Sequence, residues 1–206
     1  MKVYFVRHGQ TENNAKKMFQ FPETPLSEVG LEQARFVAHR FKDIQIDRII
    51  ASPFTRARQT AEIIGDEIGK DIDYNDLLIE CLKPTAIRGK DHSDEEAIKI
   101  VNLIKENTSD PLWHHSDEEN FWDTKKRATE FIAFLEQQME EHILIVTHSE
   151  ILCTIISSMM MGEDLTVDIR TKFVKFFKII NTGVTICEKT ESGWEMRTWN
   201  DHAHLP

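Results

Sequence analysis

Arg48-Ile49-Ile50-Ala51-Ser52-Pro53-Phe54-Thr55-Arg56-Ala57-Arg58-Gln59-Thr60-Ala61 contains a complete change of local structure. The run from Arg48 to Ala51 is short and β-branched, as expected of a strand buried on both faces. Ser52 and Pro53 break it. From Thr55 to Ile68 the apolar residues Ala57, Ala61, Ile64 and Ile68 then share one stripe, which predicts an amphipathic helix. Working outward, Val3 to Val6 and Ile143 to Thr147 read as two more buried strands. Gly30 to Phe41 reads as a second helix through Leu31, Ala34, Val37, Ala38 and Phe41. Strands alternating with helices predict an α/β fold, a three-layer sandwich with a mostly parallel central sheet and helices on both faces. Gly183 to Glu188 and Trp194 to Trp199 flank a turn and predict an antiparallel hairpin. Ser116 and Glu119 have capping-box spacing ahead of a helix carrying Phe121, Ala128, Phe131, Ile132 and Leu135 to about Met139. Between these elements, the segment at about residues 82–121 is acidic and less regular, and predicts a small irregular or helical, cap-like excursion over the sheet. Phe173, Phe176 and Phe177 predict a core stripe bordered by lysines. The whole of residues 1–206 is expected to form one domain.

Composition narrows the function. Lys and Arg number 25 against 35 Asp and Glu, a formal charge of −10, which repels nucleic acid and anionic lipid over most of the surface. Any anion site must therefore be built from a few placed cations. Three widely spaced cysteines, with no Cys-x-x-Cys, argue against a disulfide framework or thiolate zinc site and fit a reducing cytosol. The amino terminus reaches Arg7 and His8 after a short apolar run, unlike a signal peptide, so a cytoplasmic location is expected. Ile151 to Met161 is too short for a membrane span and reads as a buried helix.

In a parallel sheet, ligands gather beyond the carboxyl ends of the strands, where helix N-termini supply backbone N–H groups and the positive end of a dipole. Arg7 and His8 follow the first strand there, with Gly9, Thr11 and Asn14 close behind. Ser52 and Arg56 follow the second, and His148 follows the third. Arg58 lies about 200° around the helix from Arg56 and is assigned to solvent. These groups suit a phosphate ester, whose transfer asks chiefly for positioning and for cations around the equatorial oxygens.

Arg7-His8-Gly9-Gln10-Thr11 with Asn14, Pro25-Leu26-Ser27 with Gly30, Gln33 and Ala34, and the Ser52 to Ala61 segment together resemble the histidine phosphatase, or phosphoglycerate mutase-like, superfamily. Val146-Thr147-His148 and Asn181-Thr182-Gly183 extend that resemblance over nearly the whole chain. The resemblance implies that His8 is a nucleophile carrying phosphate, contacted by Arg7, Asn14, Arg56 and His148. Leu78-Ile79-Glu80 resembles the family's acid segment, which makes Glu80 the proton donor and acceptor. Thr11, Gln20, Glu119, Asn120 and Ser149 are candidate substrate contacts, although Glu119 could equally complete the capping box. The family's mutases continue their acid as Glu-Arg-x-Tyr-Gly, whereas Glu80 is followed here by Cys81, Leu82, Lys83 and Pro84. A phosphatase for a small phosphomonoester is therefore expected ahead of a mutase or a noncatalytic phospho-ligand binder.

No cofactor and no metal is expected, because the His114-His115 and His202-Ala203-His204 groups have no carboxylate or cysteine at ligand spacing. His148-Ser149-Glu150 is not a hydrolase triad, since no G-x-S-x-G elbow exists. The expected partner is a small phosphorylated metabolite, with neither nucleic acid nor membrane, and a homodimer is the one assembly considered.

Overall fold

Alternating burial along the strands shows how the layers form. In β1 (Lys2–Arg7), Val3 and Phe5 enter one core cluster while Tyr4 and Val6 enter another. The same division recurs in β4 (His142–Thr147), where Ile143 and Ile145 face away from Leu144 and Val146. A strand with both faces apolar needs cover on both sides, which the helices supply. The computed structural model describes residues 1–206 throughout.

The sheet has six strands in the order β3-β2-β4-β1-β5-β6. The other four are β2 (Arg48–Ala51), β3 (Ile72–Tyr74), β5 (Val184–Thr190) and β6 (Gly193–Asp201). Strands β3, β2, β4 and β1 run parallel, and the β5–β6 hairpin joins the β1 edge antiparallel. Helices α2 (Glu28–Phe41) and α3 (Thr55–Ile68) cover the Tyr4 face through Val37, Phe41, Ala57, Ala61 and Ile64. Helices α5 (Phe121–Glu136) and α6 (Ser149–Met161) cover the other through Phe131, Leu135, Ile151 and Ile155. This is the expected three-layer arrangement. A single turn, α1 (Glu12–Ala15), follows the β1 loop, and α7 (Val167–Phe176) follows α6. No helix is long and apolar enough to cross a membrane.

The helical part of the excursion after Leu82 is α4 (Glu95–Asn107), capped by the Asp94 side chain on Ala97 N. Two local expectations are corrected. Helix α5 begins later than Ser116 predicts, because Asn120 accepts from the Trp122 and Asp123 backbone N–H groups and Asp123 caps it in return. Of the aromatic stripe only Phe173 is buried. Phe176 ends α7 and is 80% exposed, while Phe177 leaves the helix and packs on Trp199.

The Gly9 loop meets the start of α2 backbone to backbone. A Cβ on Gly9 would lie 2.4 Å from Gly30 O, and one on Gly30 would lie 2.0 Å from Gln10 O. Only residues without side chains permit that approach. Ser27 caps α2 through Gly30 N while its hydroxyl and N–H both donate to Gln10 O, and Gln10 N donates to Gln33 Oε1. Thr60 Oγ1 accepts from Gly9 N, and Gln59 Oε1 accepts from Leu26 N. The loop after β1 is thereby fixed from two helices at once.

Candidate active site

His8 is 2% exposed, and its surroundings determine its tautomer. Its Nδ1 lies 2.7 Å from Gly9 O, which can only accept, so Nδ1 carries the proton. Its Nε2 lies 3.2 Å from Arg56 Nε, which can only donate, so Nε2 presents its lone pair. Burial first, then Arg56 and Arg7, holds the imidazole well below its ordinary pKa and keeps it neutral. The result is a neutral ring whose Nε2 lone pair accepts from a cation.

Arg56 is 2% exposed and also donates through Nη1 to Phe21 O at 3.0 Å. Burial lowers its pKa to about 10, with Glu80 opposing the shift, so it remains charged at neutral pH. Arg7 donates Nη1 to Ile179 O at 2.6 Å. His148 places Nε2 2.8 Å from Ser52 Oγ, with its ring centroid 5.1 Å from that of His8. Burial and the same cations hold it, too, neutral. Of four buried side-chain polar atoms without a partner, two belong here: Arg7 Nε and His148 Nδ1. Orphaned groups of this kind are rare in folded proteins, and two at one place mark a site for a polar ligand.

Glu80 approaches from the opposite wall. Its Oε1 accepts from Cys81 N and Ile151 N, both at 3.0 Å, and its Oε2 accepts from Glu150 N at 3.2 Å. The carboxylate is thus seated on the N-terminus of α6, where the helix dipole favours negative charge. Arg7 and Arg56 feel that charge. Cys81 also lines the cleft, but burial pushes its thiol up to about 12, so it stays protonated and is no rival nucleophile.

A cavity of about 350 Å³ opens between these groups, lined by Arg7, His8, Asn14, Arg56, Glu80 and Ser149, with Gln20, Lys83 and Arg88 at its sides. The cluster of cations stands out in a chain of net charge −10. Not every expected contact lines it. His148 is fully buried beside His8 and is not among the lining residues. Thr11 is buried, capping α1 through Asn14 N at 3.0 Å and donating to Gln20 Oε1 at 2.9 Å. Glu119 and Asn120 lie at an adjoining chamber instead. Glu119 is held by Arg127, at 2.8 and 2.6 Å, and by Leu82 N, while Asn120 Nδ2 donates to Pro111 O and Trp113 O. Arg58 points outward and pairs with Glu62.

Two contributors escaped residue-by-residue reading. Asn181 Nδ2 donates to His8 O at 2.9 Å and lies 3.4 Å from Asn14 Oδ1, so it ties the β5 approach to the site. The turn that delivers it places Thr182 at φ 58°, a left-handed conformation that β-branched residues avoid. Its N–H donates to Arg7 O, and its hydroxyl donates to Asn181 O. The Asn-Thr-Gly triplet was the available signal. Arg127 was the other, bracing Glu119 and the carbonyls of Leu77 and Ile79 just ahead of Glu80, and nothing in its sequence neighbourhood announces that role.

The model of the histidine phosphatase superfamily (branch 1) matches residues 3–202. A probable phosphatase of Schizosaccharomyces pombe is 27% identical over 216 residues, covering 100% of this chain and 95% of that one. The probable phosphoglycerate mutase GpmB of an Enterobacter species is 47% identical, but over 81 residues, 39% of this chain and 38% of its own. The structure of YhfR from Bacillus stearothermophilus superposes with a TM-score of 0.83 at 25% identity, covering 98% of both chains. Since the family model runs from β1 into the tail and the shared fold extends with it, the chain belongs to branch 1 of the histidine phosphatase superfamily.

Proposed function

We propose that residues 1–206 form one catalytic unit that hydrolyses a small phosphomonoester through a phosphohistidine on Nε2 of His8. The observation that carries this reading is the fixed tautomer: Gly9 O accepts from Nδ1–H, and Nε2 keeps a lone pair that Arg56 Nε–H releases when a phosphate oxygen takes over that donor. In the first step Nε2 attacks phosphorus. The ester P–O bond breaks with its electron pair on oxygen, and Glu80 supplies the proton. In the second, Glu80 takes a proton from water, whose oxygen attacks phosphorus, and the P–N bond returns its pair to Nε2. Arg7 and Arg56 balance the charge on the equatorial oxygens. His148 offers the same oxygens its Nδ1, which has no partner in the protein, in the tautomer where Ser52 donates to Nε2. The three cysteines are all free and buried, in keeping with a reducing cytosol.

Rapid quenching with 32P-labelled substrate tests this directly. The expected result is protein-bound label that is labile to acid and stable to alkali, and that is lost in His8→Ala. Turnover without such label would overturn the mechanism. The 47% identity to a probable phosphoglycerate mutase favours a second reading, phosphoryl transfer between positions of one substrate. Supplying 3-phosphoglycerate with and without a bisphosphate primer separates the two, and release of inorganic phosphate without isomerisation is the expected outcome.

A further inference from the structure

We propose that the alcohol carried by the substrate is apolar and lodges in a second chamber beneath α4, an inference that rests on the phosphatase reading of His8 and Glu80. This chamber has a volume of about 420 Å³, within the range of about 300–1,000 Å³ of small-molecule sites. It adjoins the catalytic pocket through a shared wall of Phe19, Cys81, Leu82, Lys83, Glu150 and Val174. The leaving oxygen must face Glu80 to receive its proton. The residues that directly follow Glu80 are part of the shared wall, so the group attached to that oxygen is directed at the chamber.

What the chamber offers a ligand is apolar. Ile87, Val101, Ile104 and Phe121 line it, and of the charged and amide side chains around it all but Lys105, which is exposed, are already engaged. Glu118 accepts from His115 N and Ser116 N. Glu119 is taken by Arg127 and Leu82 N, and Asn120 by the carbonyls of Pro111 and Trp113. Glu150 is paired with Lys83 at 2.8 Å and with Arg170 at 3.4 Å. Away from the exposed Lys105 and Thr171, a hydroxyl-rich or carboxylate-bearing alcohol would have to break these pairs to be recognised, whereas an alkyl or aryl group needs only to displace water. Helix α4 fits the same account. Ala97 is its one buried residue, so Val101 and Ile104 cover the chamber rather than joining the core.

A series of n-alkyl phosphates from ethyl to octyl, with glycerol 3-phosphate as polar comparator, tests the proposal. The expected result is a rise in kcat/KM of about fourfold for each buried methylene over the first several, with glycerol 3-phosphate below propyl phosphate. Ile104→Trp should lower kcat/KM for octyl phosphate at least tenfold more than for ethyl phosphate. Calorimetry with n-alkylphosphonates, which are not hydrolysed, reads the chamber in the unsubstituted protein without relying on turnover. Affinity that tightens with chain length while no ester is turned over would refute the phosphatase reading and leave the chamber standing. Turnover through His8 with affinity and kcat/KM flat in chain length would overturn the chamber alone.

Discussion

Arg56 reaches His8 through Nε and Phe21 O through Nη1, so one planar group fixes both the imidazole and the loop that borders the pocket. A lysine there would keep the charge but offer a single point donor on a flexible stem. Arg56→Lys is therefore expected to lose the lock on the His8 tautomer as well as its grip on an equatorial oxygen. The expected fall is about 10²- to 10³-fold in kcat for p-nitrophenyl phosphate. Nitrogen-15 spectra of His8 should show a mixture of tautomers where the unsubstituted protein shows protonation at Nδ1. Retention of normal kcat would contradict this role. At Glu80 the test is the leaving group. Glu80→Gln keeps the shape but supplies no acidic proton, so alkyl phosphates should slow about 10²- to 10⁴-fold. p-Nitrophenyl phosphate should slow far less, because its phenolate leaves unaided. Equal slowing of both would assign Glu80 a structural part.

Helices α2 and α3 act on the site by holding the Gly9 loop, and the sequence motifs on them can be read almost letter by letter. Ala57 and Ala61 enter the core, Gln59 holds Leu26 N, and Thr60 holds Gly9 N. Gly30→Ala would drive a Cβ into Gln10 O, at 2.0 Å, with backbone on both sides and no flexible side chain to yield. Overpacking of that kind costs about 1–3 kcal/mol. For a chain of this length that is a fall in Tm of about 2–12 °C, and kcat should drop at least tenfold as the loop shifts. A thermal melt beside an activity assay checks both, and an unchanged pair would show that the contact is slack. The strand ends and these two helices were legible because buried strands and stripes facing the core obey simple periods. Helix α4 was legible only as helical character somewhere in the excursion, because Val101 and Ile104 face a chamber rather than the core and its first turn is acidic. The start of α5 was misplaced because Ser116 and Asn120 both have capping spacing. What separates them is which carboxylate is left to close the box, since Arg127 claims Glu119 while Asp123 caps Asn120. Strand β3 escaped notice as a short edge with its outer two residues exposed.

Across the whole molecule, the order of the sheet brings the ends of β1, β2 and β4 together, and with them two buried histidines under two arginines. The sequence indicated that convergence, whereas the ring contacts and the Asn181 tie depend on chain segments far apart in number. The arrangement has a consequence for stability that belongs to no single element. His8 and His148 are held well below 6.5, and burial with Arg40 nearby lowers His204 to about 4. Above pH 6.5 all three are neutral in both folded and unfolded chains, and pH has no purchase on them. Below 6.5 the unfolded chain takes up protons that the folded chain refuses, so the free energy of unfolding falls as pH falls. For His8 and His148 the slope reaches at most about 1.4 kcal/mol per pH unit each, and His204, half-exposed, adds less. Chemical unfolding between pH 7.5 and 5 should therefore show stability declining steadily well above the carboxylate range. His148→Gln should remove about one proton from that dependence, whatever it does to the stability at pH 7.5. Stability that stays flat from pH 7 to 5 would mean that the two rings are protonated in the folded chain, and a protonated His8 has no lone pair with which to attack phosphorus.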